Sequence, residues 1–444
     1  MSIPPTIYAL STAPGRAGIA VIRVSGAAAG HALTRLAGRL PAARRASLRA
    51  LIHPVTGEAL DQAVVLWFPA PASFTGEDVA ELHVHGGRAV IEAVLAALAA
   101  VDGLRLAEPG EFTRRAFDHD KLDLTEVEGL ADLIDAETEG QRRQALRQAS
   151  GALRALYDNW RSELIGLLAR IEAELDFSDE ADVPEAIARN ARPAAEQLRA
   201  EIAAHLSDAH RGEILRDGFR VVLAGPPNVG KSSLLNALAR RDAAIVSDEP
   251  GTTRDVIEVR LDLGGLPVMI SDTAGLREAA GPVEQEGMRR TRAEAGRADL
   301  LLWLIDASAP VSVAAAAPDF ETVETLTVYT KRDLAEAAVT GTADAVAVSA
   351  KTGAGLSQLT EAILERARAS LGEADTPAPT RPRHRQLLTR AADSLSAFLE
   401  GDASALELRA EDLREAAAAL GRLTGRIGVE DILDEIFSSF CIGK

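Results

Sequence analysis

Residues 225–232 read Gly-Pro-Pro-Asn-Val-Gly-Lys-Ser, a complete G-x-x-x-x-G-K-S. Glycines at that spacing let successive backbone N–H groups wrap a polyphosphate, and the lysine reaches its β- and γ-phosphates. Lys231 takes that role and the Ser232 hydroxyl offers a ligand to Mg²⁺. Asn228, Val229 and Gly230 complete the loop, and Ser233 lies in the first turn of the following helix, whose N-terminus adds positive potential. The chemistry is the binding and splitting of a nucleoside triphosphate.

Three later segments complete that chemistry. The first is Ser247-Asp248-Glu249-Pro250-Gly251-Thr252-Thr253-Arg254-Asp255. A threonine about 20 residues beyond the phosphate loop can close over the γ-phosphate and give Mg²⁺ a second hydroxyl. Thr253 is assigned that role, with Arg254 and Asp255 beside it as candidate catalytic side chains. The second is Asp272-Thr273-Ala274-Gly275, after an apolar strand. Asp272 can hold Mg²⁺ through water, and the Gly275 N–H can sense the γ-phosphate. Leu276 follows, and an apolar side chain cannot orient the attacking water. Glu284 is the leading carboxylate for that task, with Glu278 and Glu286 nearly as good by sequence alone. The third segment reads the base. Asp333, in Thr330-Lys331-Arg332-Asp333, can accept from the guanine N1–H and amino groups, which adenine cannot supply. Thr330 stands where the usual motif carries asparagine and can make one such hydrogen bond. Ser349-Ala350-Lys351 fits the loop whose backbone N–H meets guanine O6. The nucleotide is therefore expected to be GTP.

The elements that must position these residues follow from the hydrophobic pattern. FRVVLAG, residues 219–225, is a continuous apolar run that reads as a buried parallel strand delivering the phosphate loop. Strand-like and helix-like segments alternate from there to about residue 371, a doubly wound, Ras-like α/β unit. Helical spacing of Leu and Ile dominates residues 122–211 and resumes beyond residue 386. Residues 372–385, rich in Pro and Thr, read as a linker. A helical tail of about 55 residues would bury little core alone. The economical arrangement is therefore one helical domain with the nucleotide domain inserted; two separate helical domains are the alternative. Residues 1–118 read as α/β, with strand-like runs at 20–24, 63–68 and 79–84 and a helix over 88–100. The fold class is thus multi-domain α/β plus all-α, divided as 1–118, 119–215, 216–372 and 373–444.

A net charge of −18 argues against nonspecific nucleic-acid binding, which runs on Lys and Arg neutralising phosphates. A nucleic-acid partner would need a local basic patch; Arg39, Arg44, Arg45 and Arg49 form one candidate and Arg381, Arg383 and Arg385 another. With Cys441 the one cysteine, no internal disulfide forms, which suits a reducing, cytoplasmic compartment. The N-terminus lacks the pattern of a secretory signal, and no apolar stretch is long enough to span a bilayer. His83 and His85 share a strand face but lack an evident third zinc ligand and read as surface histidines. The terminal C-I-G-K matches a prenylation box only in length, because it ends in Lys and follows no polybasic segment.

Taken together, the nucleotide motifs resemble the TrmE-Era-EngA-type (TrmE-Era-Septin-type) P-loop GTPases. Four flanking blocks narrow the likeness: PGRAGIAVIRVSG, SFTGEDVAELHVHGG, EPGEFTRRAFDHDKLDLTEVEGLADLIDAET and the terminal FCIGK. In that order they are similar to the TrmE (MnmE) family of tRNA modification GTPases, across essentially the whole chain. The resemblance implies an N-terminal domain that binds 5-formyltetrahydrofolate or a related tetrahydrofolate and forms a homodimer. Arg23, Glu81, Lys121 and Lys444 match its folate positions. It implies K⁺ activation, with the Asn228 side chain and backbone oxygens of Ser247, Glu249 and Thr252 around the ion. K⁺ would then do the electrostatic work of an arginine finger. It implies that two nucleotide domains approach face to face, that Glu284 organises the water, and that Cys441 lies beside the folate site in a catalytic or redox role. A partner carrying FAD (MnmG or GidA in the family) is also implied. The activity would be installation of an aminomethyl or carboxymethylaminomethyl group at C5 of the wobble uridine of certain tRNAs. The alternative is a ribosome-assembly switch resembling Era or EngA, without folate chemistry.

Overall fold

The computed structural model describes residues 4–176, 184–241, 258–272, 296–309, 323–335, 345–372, 376–401 and 405–427, and 433, 436–438 and 440–443 near the C-terminus. They gather into two units, one formed by residues 1–131 with 420–444 and the other by residues 132–419. The divisions expected at 118, 215 and 372 follow chain order; the C-terminal stretch from Leu420 instead groups with the N-terminal residues.

In the first unit, alternation of period two builds a six-stranded sheet. Its strands are β1 (Thr6–Leu10), β2 (Ala17–Ser25), β3 (Ser47–Ile52), β4 (Ala59–Phe68), β5 (Val79–Gly86) and β6 (Leu104–Leu106), in the order β3-β4-β5-β2-β1-β6. Only the β1–β6 pair is parallel. Ala20, Ile22 and Val24 of β2 and Ala80, Leu82 and Val84 of β5 face the core, with Leu33 and Leu36 of α1 (Ala29–Ala37) and Val94 and Leu98 of α2 (Arg88–Ala99). The strict alternation sends Arg23 and Glu81 to the opposite face, where they lie directly across the β2–β5 pair. The edge strands β3 and β6 are absent from the sequence expectation because each is short or interrupted by charge.

Helix α3 (Glu111–Asp118) and α4 (Leu124–Ile134) follow. The C-terminal stretch packs here. Leu433, Phe437 and Phe440 form a cluster with Leu124 and Val127, against the half-buried Phe117. Ile442 makes a backbone bridge to Pro109, and the Ser11 hydroxyl donates to the Gly443 carbonyl at 2.8 Å. Gly443 has φ near +100°, and a Cβ there would lie 2.0 Å from the Leu10 carbonyl oxygen, so only glycine lets the tail lie this close.

The second unit holds helices α5 (Glu139–Ala149), α6 (Ala152–Asp176), α7 (Pro184–Ser207) and α8 (Ala209–Asp217), then the nucleotide domain, then α11 (Pro382–Glu400) and α12 (Leu406–Leu423), which runs on into the first unit. Tyr157, Trp160, Leu164 and Leu167 of α6 share the helical core with Leu198 and Ile202 of α7 and Leu388, Leu395 and Phe398 of α11. The expected linker over 372–385 is shorter than its composition suggested. Pro382 opens α11 with Arg381 as N-cap, so Arg383 and Arg385 are helical. Proline fits the first helical position because its missing N–H would lack a partner there anyway.

The nucleotide domain is a sheet of order β12-β11-β10-β7-β9-β8. The strands are β7 (Phe219–Ala224), β8 (Glu258–Leu263), β9 (Leu266–Asp272), β10 (Leu300–Asp306), β11 (Glu324–Thr330) and β12 (Ala345–Ala347). All neighbours are parallel except the β8–β9 hairpin. Helices α9 (Lys231–Arg241) and α10 (Leu356–Leu371) cover it. The central strands β7 and β10 are buried on both faces, as their unbroken apolar runs require.

The two chain connections to this domain are stitched together. Asp132 accepts from Arg216 of α8 at 3.2 Å and from Arg381 at 2.7 Å. Arg385 pairs with Glu213. Two members of the second basic cluster thus have carboxylate partners within the fold.

Candidate nucleotide-binding site

The site forms where β7 ends and α9 begins, at the carboxyl end of the parallel strands. Gly225 makes the corner: its φ is near +146°, and a Cβ would meet the Leu304 carbonyl oxygen at 2.6 Å. Asn228 adopts φ +59°, a left-handed conformation that asparagine tolerates better than most residues. Lys231 is buried at the first turn of α9, and its ammonium donates to the carbonyls of Gly225 at 2.9 Å and Pro226 at 3.1 Å. Burial pushes its pKa down, and the Asp272 carboxylate partly offsets that. The ammonium is thus held by main-chain carbonyls of the loop itself.

Ser232 and Asp272 come together. The serine hydroxyl donates to Asp272 Oδ2 at 2.7 Å, and the Asp272 side chain is buried at the end of β9. A hydroxyl and a carboxylate converging beside the phosphate loop fit a hard divalent cation.

On the base side, Lys331 has φ +54° and lays its side chain along the phosphate loop, donating to the Asn228 carbonyl at 2.9 Å and to Asp306 Oδ2 at 2.7 Å. Burial opposes the charge on Asp306, but hydrogen bonds from Lys331 and Ser308 outweigh it and hold the carboxyl below its ordinary range. Asp333 accepts from the buried Ser349 hydroxyl at 2.6 Å, which fixes the carboxylate. Ala350 and Lys351 continue the loop after Ser349. Thr330 departs from the expectation. Its buried hydroxyl lies 2.6 Å from the Val229 carbonyl and 3.2 Å from that of Ile305, so it ties β11 to the phosphate loop instead of aiming at a base. The hydroxyl has one proton, and the short contact to Val229 takes it.

A second polar cluster stands on the outer face of the N-terminal sheet. Arg23 donates through Nε and a terminal nitrogen to Glu81 Oε1 at 3.2 and 3.0 Å, and His83 Nε2 lies 3.1 Å from Glu81 Oε2. The guanidinium carbon lies over the Phe74 ring, 5.2 Å from its centroid, and over the Phe112 ring, 5.8 Å from its centroid. Lys121 crosses the same turn: its Cε lies 3.4 Å from where a Cβ on Gly76 would be. His85 pairs separately with Asp61. Cys441 is an exposed free thiol on the docked tail.

Comparison with known proteins decides the family. The family model for the MnmE helical domain matches residues 124–441, and that for the GTP-binding protein TrmE N-terminus matches residues 6–121. The tRNA modification GTPase MnmE of Rhodospirillum rubrum is 54% identical over 454 residues, covering 99% of each chain. That of Parvibaculum lavamentivorans is 56% identical over 446 residues, covering 99% of this chain and all of its own. The chain belongs to the MnmE family of tRNA modification GTPases. Among solved structures, the G domain of the T. maritima FeoB iron transporter is 27% identical, with 34% of this chain and 98% of that chain covered and a TM-score of 0.25.

For this MnmE-family chain, the structure brings Asn228, Val229, Gly230, Lys231, Ser232 and Ser233 to one strand-to-helix corner, with Asp272, Thr330 and Lys331 against them. Ser247, Asp248, Glu249, Pro250, Gly251, Thr252, Thr253, Arg254, Asp255, Thr273, Ala274, Gly275, Glu284 and Lys444 lie outside the described residues. Sequence reasoning missed Asp306. Its signal was present, since LLLWLID is an apolar run closing on an aspartate as β9 closes on Asp272. It also missed Phe74 and Phe112, whose approach to Arg23 is long-range and leaves no local pattern.

Proposed function

We propose that the chain hydrolyses GTP and couples that cycle to modification of the wobble uridine at C5 in certain tRNAs. The observation that carries the reading is the convergence of Lys231, Ser232 and Asp272 at the corner between β7 and α9. The backbone N–H groups of residues 228–232 would hold the β-phosphate, with Lys231 reaching the β- and γ-phosphates. Asp333, pre-aligned by Ser349, would select guanine over adenine.

Mg²⁺, when bound, supplies charge neutralisation between the β- and γ-phosphates; Ser232 would ligate it, with Asp272 supporting through water. Thr253 would add the second hydroxyl, and Glu284 would orient the water. K⁺, when bound, supplies the positive charge that an arginine finger supplies elsewhere. Asn228 would give K⁺ its side-chain oxygen, with backbone oxygens of Ser247, Glu249 and Thr252.

The reading continues in the N-terminal unit. Arg23, Glu81 and Lys121 around the turn at residues 74–77 would hold a tetrahydrofolate, with Lys444 adding a charge. The Arg23 guanidinium, held by Glu81, would offer its remaining N–H donors to a ligand carboxylate. The folate would supply the one-carbon unit, an FAD-containing partner the redox chemistry, and Cys441 a nearby thiol. Dimerisation through this unit, tRNA as the substrate and a cytoplasmic setting complete the proposal; no described helix is long and apolar enough to cross a membrane.

Calorimetry with 5-formyltetrahydrofolate tests the N-terminal half. Saturable binding that weakens on Arg23→Ala is expected, whereas no binding would favour the switch without folate chemistry. Hydrolysis rates in KCl and NaCl test the cation assignment: equal rates would refute the role of Asn228.

A further inference from the structure

The first basic cluster of the sequence, unlike the second, keeps its charge uncompensated. Residues 1–57 hold seven arginines and not one lysine, aspartate or glutamate, in a chain whose net charge is −18. Arg23 is committed to Glu81, and Arg16 lies in the β1–β2 connection. The other five, Arg35, Arg39, Arg44, Arg45 and Arg49, fall on α1, on β3 and on the segment between them. Four are exposed and Arg49 is half-buried. None of the five is ion-paired with a carboxylate among the described residues. The acids that follow on β4 and before β5 are engaged elsewhere: Asp61 holds His85, Glu77 holds Arg115, and Asp78 accepts from the Ala70 N–H. Glu58 stands exposed at the β3–β4 turn.

The fold sets these guanidiniums along one edge. β3 is the outermost strand of its sheet, and Leu33, Leu36 and Leu51 pack α1 against it. Arg49 stands opposite Ala63, a core-facing residue of β4, so it leaves β3 on the α1 side, the face opposite Arg23 and Glu81. At one end of β3 the Arg44 N–H prolongs the ladder by donating to the Trp67 carbonyl at 2.8 Å. The Arg44 guanidinium carbon lies 5.7 Å from the Phe68 ring centroid, and one of its nitrogens donates to the Ala72 carbonyl. At the other end Arg35 reaches from α1 to the Pro54 carbonyl at 3.0 Å. Between them Arg49 donates to the Leu48 carbonyl at 3.0 Å. Neutral carbonyls orient a guanidinium without cancelling its charge, and each fork keeps further N–H donors. The six residues of β3 span about 20 Å at about 3.3 Å per residue.

We propose that this arginine-lined edge is a docking surface for the phosphodiester backbone of tRNA, an inference that rests on the reading of tRNA as the substrate. Charge complementarity carries it. All 66 acidic side chains lie beyond residue 57, and none that is described neutralises this row. The row is long enough to track several backbone phosphates, and each guanidinium that meets one releases counterions. Contacts of this kind position the RNA and read no sequence.

The test is fluorescence anisotropy of a labelled tRNA transcript titrated with the full chain over a series of KCl concentrations. Any tRNA serves, because the contacts are with the backbone. Arg39→Gln with Arg45→Gln alters two exposed guanidiniums that make no bond among the described residues, so the fold does not depend on them. This double variant should make the slope of log K against log salt shallower by about 1.5, roughly 0.7–0.9 per phosphate, and lower the affinity at low salt at least about fivefold. Arg88→Gln with Arg143→Gln, an equal change in charge drawn from arginines paired with Glu92 and Glu139, should leave both values at the parent's. Binding that the first variant retains unchanged, or that both variants lose alike, overturns the docking surface and leaves tRNA as the substrate. Absence of saturable binding by the parent overturns the surface and the tRNA reading together. Polyglutamate captured by the parent and not by the first variant, with tRNA binding unmoved, would assign the edge to an acidic protein and also overturn the proposal.

Discussion

Thr330→Val removes one hydroxyl and almost no volume, and it isolates the link between β11 and the phosphate loop. In the parent the hydroxyl donates to the buried Val229 carbonyl at 2.6 Å. The valine leaves that carbonyl without its donor in a site where water cannot readily replace it. An unsatisfied buried acceptor costs about 1–3 kcal/mol. The loss divides between the free protein and the nucleotide complex, because Val229 belongs to the loop that must keep its shape around the β-phosphate. The affinity loss for GDP and the loss of unfolding free energy should therefore total about 1–3 kcal/mol; if it all fell on binding, Kd would rise about 5- to 150-fold. Fluorescent GDP titration and urea unfolding of Thr330→Val, with Thr330→Ser as the hydroxyl-retaining control, measure both shares. Parent-like affinity and stability for the valine variant would refute the tether. Parent-like stability with a loss of guanine-over-adenine preference would return Thr330 to the base.

Other outcomes follow from buried groups. Burial lowers the Lys231 pKa, so between its folded and ordinary values the unfolded chain holds more protons and stability rises with pH. The parent should gain stability relative to Lys231→Met as pH rises from 7 toward 10, read by thermal unfolding without nucleotide; a flat difference would contradict the burial. His205 is held down to about 4 by desolvation, against a weaker opposing pull from Asp208, and contacts the Tyr157 hydroxyl at 3.1 Å. Its folded pKa lies below 6.5, so the parent should lose up to about 3 kcal/mol relative to His205→Gln as pH falls from about 6.5 to 4. Parallel urea-stability curves would refute that. Asp132→Ala strips both Arg216 and Arg381 of their common carboxylate. With the arginines partly exposed, it should cost about 2–4 kcal/mol in urea unfolding, and a loss below 1 kcal/mol would show the clamp to be weak.

The chemistry of the phosphate corner was legible because its parts are local. Eight consecutive residues form the loop, and the apolar run 219–224 can only be a buried strand. Arg23 and Glu81 were singled out by likeness alone, as folate positions, and their pairing with each other was not foreseen, since charges on two strands 58 residues apart carry no register signal until β2 and β5 are aligned. Thr330 was misdirected for a related reason. Its motif position says that it lies near the nucleotide, whereas the direction of its hydroxyl depends on how β11 sits against Val229. The short strands β3 and β6 went unseen because a three- or six-residue strand at a sheet edge need not alternate cleanly. The docking of residues 440–443 was equally hidden: besides Phe440 in its apolar cluster, it rests on the Ile442–Pro109 bridge, a close backbone approach at Gly443 and a single hydroxyl from Ser11.

The central claim is that phosphate is gripped at the β7–α9 corner by main-chain amides and one lysine. The direct measurement is GTP turnover by the full chain in Mg²⁺ and K⁺, parent against Lys231→Ala, with folding of the variant verified by circular dichroism. The account predicts a loss of at least about 100-fold, the scale of removing one preorganised transition-state contact. A folded Lys231→Ala protein that turns over GTP at the parent's rate would contradict it.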